Sequence, residues 1–329
     1  MTVDTHILRA LREPPGGSVS GADLSRQLGI SRAAIWARLQ ALRELGYDIE
    51  ASPHLGYRLV SAPDLLHADD LLSRLGKTRV IGRDIRIFER TTSTNDIMAR
   101  LAGDGVKEGA VVFAESQSRG RGRLGRHWIS PPRKGLWFSI LLRPNLAPQS
   151  ATQLTVAAAT ALARALAQQT NLAPEIKWPN DILIGGKKVA GILTELTAEL
   201  DHVKEVVLGI GVNVNLELSE LPRDLRGLAT SLRIESGQVV DRAELAVAIL
   251  REMDGDYDRI RRGQFESVAA EWQQRCGTLG RQVSIHVGER VIRGRAEALD
   301  GQGALLLRTQ HGHLERIIGG DVTMEKEGE

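Results

Sequence analysis

The sequence is short of the features that mark secreted, membrane-spanning or strongly charged proteins. One cysteine, Cys276, stands among 329 residues, which excludes internal disulfides and any cysteine-rich metal site. No apolar stretch approaches the ~20 residues needed to cross a bilayer. The N-terminal segment has no basic run followed by an apolar core, so no secretion signal is expected. Net charge is nearly absent too: 43 Lys and Arg against 41 Asp and Glu leave +2. Anion binding must then come from local patches, because a nearly neutral protein has no global field to steer a ligand. With 42% apolar and 26% charged residues, the chain fits a soluble globular protein of two or three domains. A cytoplasmic location is expected.

The most unusual stretch is Arg119-Gly120-Arg121-Gly122-Arg123-Leu124-Gly125-Arg126-His127-Trp128, set between the apolar runs Ala110 to Ala114 and Leu136 to Leu142. Glycines spaced this closely disfavour helix and strand, because each carries a backbone-entropy cost. The guanidinium groups of Arg121 and Arg123 suit phosphate or carboxylate, which they grip through paired hydrogen bonds. Two readings follow: a basic lid that orders around an anionic ligand, or a solvated, nonspecific RNA-binding run.

In the first sixty residues, Thr5 to Leu11 carries apolar residues at helical spacing, and Pro14-Pro15-Gly16-Gly17 ends it. Ser20 to Leu28 reads as a second short helix broken by Gly29. Ser31 is placed to cap a third, on which Ile35, Leu39, Leu42 and Leu45 share one face. Tyr47 to Ala51 and Tyr57 to Val60 flank a turn and make a β-hairpin wing. The pattern is a winged helix-turn-helix over residues 1–63. Its third helix would present Arg32 and Ala33 to base edges, with Trp36, Gln40 and Arg43 along the same line. Ser31 and Arg58 are candidates for phosphate. Residues 1–63 hold seven arginines, six acids and no lysine. A module so weakly basic needs a second copy for useful DNA affinity, or else serves as a docking unit.

Residues 64–275 alternate helices and strands. Leu65 to Leu75 is a helix and Ile85 to Phe88 a strand. Ser93, Thr94 and Asn95 precede a helix running to Ala102; there they either cap it or face a small polar ligand. Ala151 to Gln169 reads as a core helix. Lys177-Trp178-Pro179-Asn180-Asp181 and Gly185-Gly186-Lys187-Lys188 punctuate a hairpin. Gly209 and Gly211 in the strand Val206 to Val212 permit close approach to a ligand. Helices follow at about 243–261 and 265–276. Residues 276–329 contain four short alternating strands, Val283 to Val287, Arg290 to Ala298, Ala304 to Arg308 and Leu314 to Ile318, consistent with a small β-barrel.

These motifs taken in order (Ser93-Thr94-Asn95; Gln117 with the arginine–glycine run through Trp128; Lys177 to Asp181; Gly186-x-Lys188-x-Ala190-Gly191-Ile192-Leu193-x-Glu195; Gly209-x-Gly211-x-Asn213) resemble those of the biotin–protein ligases. With the N-terminal module, the chain resembles the bifunctional form of that family, the biotin operon repressors, over essentially its whole length. The resemblance implies an α/β (α+β) catalytic domain of the biotin/lipoate ligase type at 64–275, followed by an SH3-like β-barrel at 276–329. It implies an ATP-dependent ligase that forms biotinyl-5′-AMP and transfers biotin to a lysine of the biotin carboxyl carrier protein of acetyl-CoA carboxylase. Repression of biotin-synthesis genes as a homodimer on operator DNA, formed on binding the adenylate, is implied as well. Lys188 would reach the biotin carboxylate and α-phosphate, where charge accumulates; Arg121 and Arg123 would neutralise phosphate oxygens. Ser93, Thr94, Asn95, Gln117 and Gly122 would border biotin. Trp128, Asn180 and Asn213 would lie toward the nucleotide, and Asp181 would position or deprotonate the acceptor lysine. No residue cluster forms a metal cage, so Mg²⁺ would arrive with ATP. The alternatives are a ligand-sensing DNA-binding regulator without transfer activity, or a lipoate–protein ligase.

Overall fold

A computed structural model describes residues 2–13 and 17–324. The chain divides into two units, Met1–Lys77 with Asp241–Val247, and Thr78–Val240 with Ala248–Glu329.

Three helices open the first unit, and side chains cap each of them. Helix α1 (Val3–Arg12) is capped by Thr2, α2 (Gly21–Leu28) by Ser20 and α3 (Arg32–Glu44) by Ser31, whose hydroxyl accepts from Ala34 N at 3.1 Å. Each such cap satisfies an otherwise orphan N–H and contributes about 1 kcal/mol. Gly29 ends α2 in the left-handed conformation, with φ +67°, which is where a residue without Cβ is needed. Of the expected terminator of α1, Pro14-Pro15-Gly16 lies outside the described residues. Ile7, Leu8, Leu24, Ile35, Leu39 and Leu42 form the core at helical spacing. Strands β1 (Asp48–Ser52) and β2 (Gly56–Ser61) make the expected hairpin wing.

Helix α4 (Ala68–Leu75) starts three residues later than its apolar pattern suggests. Its Asp70, 1% exposed, pairs with both Arg12 and Arg74. Removing either partner would leave a buried carboxylate undercompensated. Arg242, also buried, holds Asp64 at 2.8 Å within the same unit.

The second unit is organised by β3 (Asp84–Thr91), α5 (Thr94–Gly103), β4 (Ala110–Gln117), β5 (Gly135–Leu142), α6 (Thr152–Thr170), β6 (Glu175–Lys177), β7 (Asp181–Ile184), β8 (Lys187–Ala198) and β9 (Val203–Asn213). The strands form one seven-stranded sheet in the order β3-β4-β5-β9-β8-β7-β6. Only β3 and β4 pair in parallel; the other neighbours are antiparallel. Strand β5 is buried at all eight positions, which explains an apolar run interrupted by Ser139 alone. Strands β8 and β9 run longer than the sequence suggests, extending beyond their apolar centres.

The short helix α7 (Leu232–Ser236) and the long helices α8 (Arg242–Arg261) and α9 (Phe265–Arg275) complete the helical part. On α8, Asp254 accepts the backbone N–H groups of Arg79, Val80 and Ile81 at 2.7–2.8 Å. Arg164 on α6 bridges Glu252, Asp256 and Glu271, binding α6 to α8 and α9.

The C-terminal strands β10 (Gln282–Val287), β11 (Arg290–Leu299), β12 (Leu305–Thr309), β13 (Leu314–Ile317) and β14 (Asp321–Met324) form an antiparallel sheet ordered β13-β12-β11-β10-β14. Strand β14 was not legible from the sequence: of its four residues only Val322 is buried, too few for an alternation to register. It proves to border the site. Among the described residues no helix is long and apolar enough to cross a membrane.

Candidate active site

A cavity of about 630 Å³ opens on one face of the seven-stranded sheet, lined by residues from position 93 to position 324. That volume suits a small organic ligand with a nucleotide-sized companion.

Its floor depends on three glycines. A methyl group at Gly211 would lie 2.5 Å from the Trp128 ring, and one at Gly191 would lie 3.0 Å from both that ring and the Lys188 side chain. At Gly209 it would lie 2.2 Å from Asn95 Oδ1. The alternating glycines of β9 therefore seat protein side chains, the Trp128 indole and the Asn95 carboxamide, where the sequence suggested direct contact with ligand.

The basic loop leaves β4 and returns to β5 across this floor. It forms neither a helix of any length nor a strand, as expected; its order comes from Trp128 N donating to Gly120 O at 2.8 Å and Gly122 N to Arg126 O at 2.7 Å. A single 3₁₀ turn, Arg123–Gly125, holds Leu124 at φ +56° and exposed. Three loop arginines reach three different sets of partners. Arg121 pairs with Asp96 at 2.8 Å and Glu195 at 2.9 Å. Arg123 donates to Asn180 Oδ1 at 3.0 Å and to Gly320 O at 3.3 Å. Arg126 pairs with Asp321 on β14. Burial pushes the Arg123 guanidinium below its ordinary pKa, opposed by Asp181 and Asp321. Hydrogen bonding to Asp321 raises Arg126 and, reciprocally, holds Asp321 below the usual carboxylate range.

Lys188, at the start of β8, meets Asp181 Oδ1 at 2.6 Å, and its ammonium lies 5.2 Å from the Trp128 ring centroid. The fully conjugated face of Trp128 gives that cation a second favourable contact. Trp128 Nε1 is buried without a hydrogen-bond partner. Asn180 Nδ2 donates to Ile192 O at 2.8 Å and Asn213 Nδ2 to Thr230 O at 2.9 Å, so the backbone fixes both amides.

One wall is a chain of neutral hydrogen bonds. Thr94 N donates to Gln117 Oε1 at 2.8 Å, Gln117 Nε2 to Ser130 Oγ at 2.9 Å, and Ser139 Oγ to Asn95 Oδ1 at 2.5 Å. Ser93 stands at the N-cap position of α5 but makes no cap bond, which leaves its hydroxyl unused by the helix. Ser93, Thr94, Asn95, Gln117, Arg121, Gly122, Arg123, Trp128, Asn180, Asp181, Lys188 and Asn213 all line the one cavity. Sequence reasoning gave no role to Ser139, Glu195, Asp96 or Asp321. Two signals were available: Glu195 closes one of the motifs above, and Ser139 is a lone hydroxyl inside an otherwise apolar strand.

The residues expected to meet DNA belong to the other unit. Trp36 is 56% exposed on α3, and Arg32 and Ala33 are exposed at its start. Three others are already engaged: Ser31 caps its helix, Arg43 donates from Nε and Nη2 to Ile49 O at 2.9 and 2.6 Å, and Arg58 pairs with Glu50 at 2.7 Å. Arg43 thus ties α3 to the wing.

The sheet and cavity define a class of cofactor-attaching ligases: residues 87–213 match the model of the Biotin/lipoate A/B protein ligase family. Residues 4–58 match an HTH domain, and 278–324 the Biotin protein ligase C terminal domain. The chain is 37% identical to the bifunctional ligase/repressor BirA of Bacillus spizizenii, over 93% of this chain and 94% of that protein. It is 32% identical to BirA of Escherichia coli over 93% and 92%. Among solved structures, the biotin protein ligase of Aquifex aeolicus in complex with biotin and ATP covers 74% of this chain and 100% of its own, at 30% identity and a TM-score of 0.64. The chain belongs to the bifunctional biotin ligase/repressor family.

Proposed function

We propose that the protein joins biotin and ATP into biotinyl-5′-AMP, transfers the biotinyl group to a lysine of the biotin carboxyl carrier protein of acetyl-CoA carboxylase, and represses biotin-synthesis genes through its helix-turn-helix unit. The observation that carries this reading is the polarity of one cavity. Its neutral hydrogen-bonding wall, Thr94 to Ser130, suits an uncharged ureido ring, while Lys188 and Arg123 stand where negative charge would gather.

In the first step a biotin carboxylate oxygen attacks the α-phosphorus and pyrophosphate leaves. The Lys188 ammonium draws the two anions together, and Arg123, held by neutral oxygens, is free to take phosphate charge. Trp128 covers the adenylate against water, and its unpartnered Nε1 offers a donor. In the second step the acceptor amine attacks the acyl carbon and AMP leaves. Asp181 orients that amine and accepts its proton once Lys188 has turned to the ligand. Asn180 and Asn213 border the nucleotide.

Mg²⁺ enters as a companion of ATP. Among the described residues no three His, Cys, Asp or Glu side chains converge on a metal position. The carboxylates lining the cavity, Asp181, Glu220 and Asp321, are each paired with a cation. These residues do not fit a resident metal.

We assign DNA binding to residues 1–63, catalysis to 64–275, and a supporting role to 276–329. Binding of the adenylate favours a homodimer, whose two helix-turn-helix units read a two-fold operator in the cytoplasm. Ser31 and Arg58 contact phosphate, while Arg32, Ala33 and Trp36 face the groove, with Arg43 bracing the wing. Incubating the protein with ATP, biotin or lipoate, and the carrier domain tests the ligase assignment. Biotinylation of one carrier lysine is the expected result; transfer of lipoate alone, or of neither acid, would refute it. Sedimentation with and without biotinyl-5′-AMP tests the dimer, and an unchanged monomer at concentrations that occupy operator DNA would exclude it.

A further inference from the structure

The two arginines that flank Gly122 are held in opposite electrostatic settings. Among the described residues Arg123 donates to neutral oxygens, Asn180 Oδ1 and Gly320 O. Arg121 spans two carboxylates, Asp96 on α5 and Glu195 on β8. Glu195 Oε2, the oxygen nearest Arg121, also accepts from Asn95 Nδ2 at 2.6 Å, and Asn95 is pinned by Ser139 and by the bare backbone of Gly209. A guanidinium with two carboxylates carries a net charge of −1 as a cluster, so an incoming phosphate meets repulsion there and attraction at Arg123.

We propose that Arg121, Glu195 and Asp96 form a latch that fastens the basic loop over the biotin end of the cavity. Arg123 is left as the loop's anion-binding arginine. Glu195 is a positioning residue: it touches no reacting atom, but it holds the loop through Arg121 and the cavity wall through Asn95. The latch rests on the biotin-and-ATP reading of the cavity given above.

The full-length Glu195→Gln and Asp96→Asn variants test it, with the rate at which preformed biotinyl-5′-AMP is released and the KM values for biotin and for ATP as readouts. Both variants are expected to release adenylate roughly two- to fivefold faster, the range for losing one solvent-accessible ion pair. KM for biotin rises with it, while KM for ATP and the saturating rate of adenylation hold. Arg121→Gln is expected to release adenylate about as fast as the Asp96→Asn/Glu195→Gln double variant, because both remove the same two contacts.

Two results overturn the latch: unchanged release, or a fall in KM for ATP, which would mean that the acids restrain an anion-binding Arg121. Thermal melting of each variant separates loss of fold from loss of the latch. Failure of the wild-type chain to release pyrophosphate from ATP in a biotin-dependent way would instead refute the reading of the cavity.

Discussion

In the first unit the residues assigned to the DNA groove, Arg32, Ala33 and Trp36, stand within five positions of one helix. In the second the cavity gathers residues from Ser93 to Met324. The DNA face is local, set by a cap, a short apolar stripe and a wing, and needs little beyond its own helices. The cavity is assembled by long-range pairing: β4 beside β5, β9 between β5 and β8, and β14 reaching the loop from some two hundred positions away. A local site is disturbed by substitutions nearby. A non-local one is disturbed wherever the frame that carries it gives way.

The largest effect expected to separate the two is at Lys188. Lys188→Ala should slow biotin-dependent pyrophosphate release by about two to three orders of magnitude, the cost of removing one preorganised group from a site of developing charge. Operator binding by the apo protein should be unaffected, so equal loss of both would show that the units fail together.

Next in size is Gly211→Ala. The added methyl would press on Trp128 at 2.5 Å, and overpacking of this kind costs about 1–3 kcal/mol. Because the indole must move, stopped-flow tryptophan fluorescence should report a displaced ring together with faster adenylate loss. A variant that keeps wild-type retention would deny Trp128 its covering role.

Ser20→Ala addresses the other region. It removes the hydroxyl that accepts Asp23 N at 3.0 Å and should lower the stability of the first unit by about 1 kcal/mol. Denaturant unfolding should show this, with pyrophosphate release unchanged.

The smallest effect concerns pH. Arg126 holds Asp321 below its ordinary pKa, so the stabilisation this pair gives is present above the ordinary carboxylate range and is lost as pH falls through the lowered value. Adenylate release should therefore quicken in acid. Asp321→Asn should release faster at neutral pH and lose that dependence; an unchanged acid profile in the variant would assign it to another group.

The same contrast explains what was legible in the sequence. Ser31, Gly29 and the Ile35-Leu39-Leu42 stripe announce the helices because each acts within four residues of its own position. The site motifs were legible as residue types, yet their partners were not. Nothing near Arg121 indicates that it will pair with Glu195, 74 positions on. Nothing in Gly209 and Gly211 tells whether the bare backbone will receive a ligand or the side chains of Asn95 and Trp128. Strand β14 escaped notice for the same reason: four residues hold no period, and its value lies in where the fold carries it.

Its position has a consequence in time. Gly320 and Asp321, which hold Arg123 and Arg126, leave the ribosome 197 and 195 residues after the arginines they hold. At synthesis rates of about 5–20 residues per second, that is a lag of roughly ten to forty seconds. Within that interval strands β5 to β9 are made, with the loop partners Asn180 and Glu195 among them, while the β14 end of the anchorage is still missing. The loop therefore acquires its contacts in sequence, those to Asp96, Asn180 and Glu195 first and those to the C-terminal strand last.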